Sequence, residues 1–187
     1  MLLEEIRNFD WINEPENVEF IEQGLLITTK KQTDFWQNKA FGFSKNDGHF
    51  FACSKEGNFS ITAKWFFEKI IDSAQCGIMI RSDEQNWIKA GLLPTDPNSV
   101  QIGVVVANNG YCDWSTITLN NKADTLYFKI KRHESNFVVC YAQNNEKYIQ
   151  IRVANLPEIK QIVEVGAYAC SPKNESFDCV LEEIDIS

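Results

Sequence analysis

The chain of 187 residues carries 18 Lys and Arg against 26 Asp and Glu, a formal charge of −8 at pH 7. Nucleic acids and anionic membrane surfaces bind proteins largely through cationic side chains, so this balance disfavours both as partners. With 44% hydrophobic and 24% charged residues, the composition is that of a soluble globule rather than a disordered chain, and the length suits a single domain over residues 1–187.

At the amino terminus, Glu4 and Glu5 stand where a secretion signal would carry positive charge ahead of an apolar run. No uninterrupted stretch approaches the ~20 apolar residues that cross a bilayer. A cytoplasmic protein without a membrane partner is expected. Six cysteines, at 53, 76, 112, 140, 170 and 179, include no C-x-x-C pair of the kind that holds zinc, and read as small buried hydrophobes in a reducing compartment.

Strand-like tracts dominate the rest of the chain. Residues 25–29 are the first, and a short helical piece is predicted around 34–38. Residues 59–67 give the strongest signal, with Phe59, Ile61, Ala63, Trp65 and Phe67 alternating against mostly polar neighbours, the period-2 mark of a half-buried strand. Similar tracts come at 77–81, 87–93, 101–107, 125–131, 137–142, 148–153 and 162–170, with a second helical piece around 156–161. Turn residues separate them, among them Asn46-Asp47-Gly48, Asn108-Asn109-Gly110, Asn120-Asn121 and Asn144-Asn145. Near the end, Phe177, Cys179 and Leu181 are odd-numbered while Ile184 and Ile186 are even, which predicts a β-bulge at Glu182-Glu183. Ten or more antiparallel strands must pack as two sheets or close as a barrel. An all-β sandwich is expected.

Signatures of catalysis are missing. The chain has no G-x-S-x-G elbow, P-loop, dinucleotide fingerprint or H-E-x-x-H. Of its two histidines, His49 reads as a structural residue at a strand start and His133 as an exposed turn approach. Glu183-Ile-Asp185-Ile-Ser187 approximates the E-x-D-x-E strand of laminarinase-type glycoside hydrolases, but Ser187 replaces the third acid and a solvated strand end is expected. No catalytic residue, cofactor or obligatory metal is assigned; the single acid in Asp96-Pro97-Asn98 falls short of the oxygen-rich shell calcium prefers.

The polar sides of the strands are more suggestive. Trp87, Lys89 and Gly91 share one face; Arg81 opposes Ile80; Tyr148, Gln150 and Arg152 alternate against Ile149, Ile151 and Val153; Glu164, Gly166 and Tyr168 alternate against Val163, Val165 and Ala167. If these strands are neighbours, they form a floor of rings interleaved with charges, suited to the C–H faces and hydroxyls of sugars. The same pattern also fits cationic stems lying over a wet sheet. Thr33-Asp34-Phe35-Trp36 and Asp113-Trp114-Ser115 could rim such a floor, each placing a carboxylate beside an indole; alternatively each Asp caps a turn and each Trp plugs the core.

Taken in order, T-D-F-W at 33–36, Phe41-Gly42-Phe43, Gly77-Ile78-Met79-Ile80-Arg81, W-I-K-A-G at 87–91, D-W-S at 113–115 and A-C-S-P at 169–172 resemble the concanavalin A-like domain family of unknown function that includes the fungal regulation-of-enolase protein. The resemblance implies a jelly-roll-like sandwich of two antiparallel sheets, of the concanavalin A-like lectin/glucanase type, with one concave face. It places Asp34, Trp36, Arg81, Trp87, Lys89, Asp113 and Trp114 around that face. Two segments depart from the family pattern: Ala74-Gln75-Cys76-Gly77 stands for D-Q-A-G, and Leu92-Leu93 stands where K-A-G is followed by an apolar residue and Glu. A non-catalytic module binding a carbohydrate or other small polar ligand is the leading expectation, with Arg152, Glu164 and Tyr168 added to the site. A regulatory protein of carbohydrate metabolism acting by protein contact and a glycan-processing enzyme using Glu164 and Asp113 are the alternatives.

Overall fold

Alternation along residues 59–66 buries Phe59, Ile61, Ala63 and Trp65 while their neighbours stay half-exposed, and this strand lies at the centre of a seven-stranded sheet. The computed structural model describes residues 2–120, 123–143 and 147–187; the turns expected at Asn121 and at Asn144-Asn145 lie outside them. In chain order the strands are β1 (Asp10–Ile12), β2 (Asn17–Ile21), β3 (Gly24–Thr28), β4 (Phe35–Asn38), β5 (Phe43–Asn46), β6 (His49–Glu56), β7 (Phe59–Phe66) and β8 (Gln75–Arg81). They continue with β9 (Trp87–Leu92), β10 (Gln101–Asn108), β11 (Tyr111–Thr118), β12 (Thr125–His133), β13 (Asn136–Ala142), β14 (Ile149–Asn155), β15 (Ile162–Cys170) and β16 (Asp178–Ile186). A four-residue helix, Leu2–Glu5, and a 3₁₀ turn, Lys39–Phe41, complete the described elements.

These strands form two antiparallel sheets, the sandwich that the strand pattern predicts in the jelly-roll-like form that the family resemblance implies. One has nine strands in the order β1-β6-β15-β8-β9-β10-β11-β4-β5, the other seven in the order β14-β13-β12-β7-β16-β3-β2. Between them lies the main core, where Ile78, Ile80, Ile88 and Val104 of the larger sheet meet Ile61, Trp65, Phe128 and Ile130 of the smaller. Burying each such side chain contributes roughly 1.5–3 kcal/mol. Among the described residues no helix is long and apolar enough to cross a membrane.

Residues 34–38 are not helical: Phe35 and Gln37 are buried while Trp36 and Asn38 are half-buried, so this stretch alternates as a strand, β4. Residues 156–161 make only a turn, closed by Ile159 N–H donating to the Leu156 carbonyl at 3.1 Å, because so short a piece holding Pro157 has no apolar stripe to sustain a helix. The bulge expected near the carboxyl end is present as a register shift between Leu181 and Glu183. Beyond it, Glu183 and Asp185 pair with Lys64 and Thr62 across the outer face of the smaller sheet, and Lys64 Nζ lies 3.9 Å from Glu183.

His49 is structural. Its Nε2 accepts the Lys30 backbone N–H at 2.9 Å, which leaves Nδ1 as the donor to the Asn13 carbonyl at 2.9 Å. Burial pulls its pKa below the ordinary value, so the unfolded chain binds the proton first on acidification, and stability rises with pH across this window. The contribution of neutral His49 is therefore expected to be complete above about pH 6.5 and to be lost as pH falls below it. Chemical denaturation at pH 7.5 and 5.5 should show a loss that His49→Gln removes; equal pH dependence of the two proteins would refute the assignment.

Candidate ligand-binding site

The nine-stranded sheet has a second, outward face, and the pairing register lays its side chains in rows. Tyr168, Gly77, Gly91 and Gly103 form one row; Gly166, Met79, Lys89, Val105 and Trp114 the next; Glu164, Arg81, Trp87 and Ala107 the third. The glycines are dictated by shape. A Cβ at Gly77, Gly91 or Gly166 would run into the backbone of the adjacent strand, so the strands approach there more closely than a side chain allows. A hollow opens on this outward face.

Part of the hollow is filled by the chain itself. Thr33 is tied down by its N–H to the Ser171 carbonyl at 3.0 Å and its hydroxyl to the Lys30 carbonyl at 2.7 Å. The following residues cross the face and drive Phe35 into a second apolar cluster with Phe50, Met79, Trp87 and Tyr168. Lys89, only 1% exposed, fastens this crossing: Nζ donates to the Phe35 carbonyl and to Gln75 Oε1, each at 2.8 Å, and to Asp34 Oδ1 at 3.2 Å. The ammonium also lies 5.6 Å from the Trp87 ring centre and 5.4 Å from that of Tyr168, adding a cation–π contribution.

On one side of the Lys89 crossing an open pocket of about 300 Å³ remains. Its walls are the indoles of Trp36 and Trp114, set edge to face with centres 6.1 Å apart at 84°, together with Phe43 from β5. Phe43 is 50% exposed and Trp114 42%. Asp34, Gln75, Lys89, Leu93 and Val105 make the floor, and Ser73, Pro94, Thr95 and Pro172 the far rim. A larger cavity, about 600 Å³, opens near Phe67, Pro97 and Leu119, but its lining holds no indole and adjoins residues outside the described set. Among the described residues no cluster of three His, Cys, Asp or Glu side chains could hold a metal.

The pocket brings together Asp34, Trp36, Lys89 and Trp114 and leaves out the other six expected residues. Trp87 is buried, its Nε1 donating to the Glu84 carbonyl at 3.1 Å. Arg81 stacks over Phe35, 5.9 Å from guanidinium carbon to ring centre, and donates to the Asp83 carbonyl at 3.2 Å, on the far side of Phe35 from the indoles. Glu164, beside Arg81, takes the Ser54 hydroxyl at 3.0 Å. Tyr168 lies buried beneath the crossing, and burial pushes its phenol pKa well up. Asp113 pairs with Val106 of the main core and so points off the hollow face, where it meets Arg152 at 3.0 Å. Arg152 cannot join the floor because β14 edges the other sheet. Glu164 and Asp113 thus occupy opposite faces four strands apart, about 19 Å at usual strand spacing, far from the roughly 5 Å of a retaining carboxylate pair.

Phe43, Gln75 and Leu93 complete the pocket. Gln75 is legible in the sequence, since it continues the alternation of Gly77, Met79 and Arg81 backwards on the same face. Leu93 occupies the position at which the family pattern has an acid, leaving Asp34 as the carboxylate of the lining.

A family profile described as "Protein of unknown function (DUF1349)" matches residues 11–187. Regulation of enolase protein 1 of Saccharomyces cerevisiae is 27% identical over 182 residues, spanning 96% of this chain and 89% of that protein. A crystal structure of a functionally unknown protein from Saccharomyces cerevisiae superposes with a TM-score of 0.89 at 24% identity, covering 98% and 97% of the two chains. The carbohydrate binding module CBM66 of Bacillus subtilis shares the fold at a TM-score of 0.56 and 11% identity over 95% and 94% of the chains. The GH43 protein BlXynB of Bacillus licheniformis matches at 0.72 and 15% identity, over 96% of this chain but 36% of that one.

Proposed function

The chain belongs to the DUF1349 family, and from the site its fold carries we propose a non-catalytic, cytoplasmic binding module for a carbohydrate or other polyhydroxylated small molecule. The observation that carries this reading is the pair of perpendicular, solvent-reaching indoles above a hydrogen-bonding floor. An indole face takes the C–H side of a sugar ring, while carboxylate and amide groups take its hydroxyls. A volume near 300 Å³ lies at the small end of ligand pockets and suits one or two rings. Likeness in fold to a carbohydrate binding module supports the same reading.

Tryptophan fluorescence titrated with neutral mono- and oligosaccharides is expected to respond to at least one of them. Trp114→Ala should weaken that binding about tenfold or more, equivalent to ~1.4 kcal/mol, without loss of fold, because Trp114 lies at the surface. A flat response across a broad panel would remove the reading.

One observation favours a second reading, an intracellular regulator of carbohydrate metabolism acting through protein contact. Tyr111, Trp114 and Ile117 are exposed along β11, which pairs with β10 over its whole length but with β4 only at Tyr111. The relative named for regulation of enolase supports it. Retention of sugar binding by Ile117→Ser together with loss of a protein complex would separate the two roles.

A further inference from the structure

We infer that the pocket takes an uncharged, hydroxyl-bearing ligand and turns away anionic ones such as uronates and sugar phosphates, a selectivity that rests on the carbohydrate reading above. Its lining contains one cation, Lys89, and that cation is already committed. A lysine ammonium has three N–H donors, and here the three acceptors are the Phe35 carbonyl and Gln75 Oε1 at 2.8 Å and Asp34 Oδ1 at 3.2 Å. No proton remains for a carboxylate or phosphate.

What the floor offers instead is a matched acceptor and donor. Among the described residues the contacts of the Asp34 carboxylate all fall on Oδ1, which also takes the Phe35 backbone N–H at 2.8 Å and faces Cys170 Sγ at 3.7 Å; Oδ2 has no partner among them. Gln75 turns its carbonyl toward Lys89, so its amide NH₂ points away from the ammonium and likewise has no partner among the described residues. A hydroxyl both donates and accepts and can satisfy both groups at once. The charged group of a uronate or sugar phosphate only accepts, and seated on this floor it would have to approach the Asp34 carboxylate in a site partly shielded from water, where like charges repel more strongly than in bulk. Lys89 meets Asp34 at Oδ1 and leaves Oδ2 facing the ligand, and the whole chain carries −8, so no remote field compensates.

The test compares glucose, galactose and xylose glycosides with glucuronate, galacturonate and hexose 6-phosphates by fluorescence or NMR titration of the full chain. The neutral member of each responding pair should bind at least tenfold more tightly, with an affinity that changes less than twofold between 50 and 500 mM NaCl. Asp34→Asn, with its fold checked by thermal unfolding, should narrow the gap between neutral and acidic ligands. An acidic sugar bound as tightly as its neutral partner, or binding that falls steeply with salt, overturns the selectivity and leaves the carbohydrate reading standing. Silence of the whole panel overturns the carbohydrate reading itself, and the selectivity with it.

Discussion

Lys89→Met is expected to lower the unfolding free energy by about 3 kcal/mol, the low end of the range for breaking a buried ion pair from one side. The methionine fills much of the volume of the lysine stem, so the loss reports on the ammonium rather than on a cavity. Three acceptors lose their donor together: the Phe35 carbonyl, Gln75 Oε1 and Asp34 Oδ1. The loss sits at the low end because Asp34 keeps some contact with solvent, its side chain being 19% exposed. For a chain of this size the midpoint should fall by roughly 6–12 °C. A double variant with Asp34→Asn should recover part of the loss, since the uncompensated charge is then gone. If Lys89→Met unfolds within about 1 kcal/mol of the parent, the crossing at residues 33–36 is held by Phe35 packing alone, and the ammonium is not what fixes the pocket floor.

Gly91→Ala is expected to cost about 3 kcal/mol, the upper end of overpacking costs, or to prevent folding. An added Cβ would press on the carbonyl of Cys76 and lie 2.9 Å from the Gly77 Cα. Both obstacles are backbone in a paired central strand and cannot rotate away as a flexible side chain could. Gly57 supplies the contrast: its φ of 75° disfavours a side chain, yet nothing lies within 4 Å of the Cβ position. Gly57→Asn should therefore cost less than about 1 kcal/mol, since Asn tolerates the left-handed region. Urea denaturation of the two variants measures the difference. Equal, small losses would mean that the neighbouring strand yields cheaply and that the close approach at Gly91 does not require glycine.

Much of the architecture could be read from local alternation, because a strand buried on one face writes its period into the sequence. Residues 59–66 show this directly. Three kinds of feature escape that rule. The stretch 34–38 is too short for its period to distinguish strand from helix, and its course is fixed by partners distant in sequence: Ser171, 138 residues from Thr33, and the Lys89 ammonium on the Phe35 carbonyl. The strand Tyr111–Thr118 is exposed along nearly its whole length, so no alternation marks it; setting Asp113 and Trp114 side by side on one rim hides the fact that adjacent strand residues must face opposite ways. Sheet order is the third. Nothing in the pattern of Tyr148, Gln150 and Arg152 says that their strand edges the opposite sheet, so alternation gives the side of a strand but not its neighbours.

The site shows the same division. The residue types of Trp36, Lys89 and Trp114 and the face of Lys89 are legible, whereas the faces of the two indoles are not, and accessibility depends on Phe35 lying across the hollow. That crossing separates Arg81 and Trp87 from the Trp114 indole, although all three lie on the outward face of one sheet.

The two walls of the pocket are anchored very differently. Trp114 stands on a strand bonded along its full length to β10, whereas Trp36 and Phe43 belong to the β4–β5 hairpin, which meets β11 through the one strand pairing of Asn38 with Tyr111, flanked by the Lys39 N–H on the Gly110 carbonyl and the Gln37 N–H on Cys112. Mechanically the hairpin is a beam held at two points, by that pairing at one end and by the Lys89 fastening at the other. Because regions with few backbone bonds to their surroundings open at lower free energy than the body of a domain, the receptor could come apart and re-form while the sandwich stays intact. The affinity measured for any occupant would then include the work of keeping that beam seated.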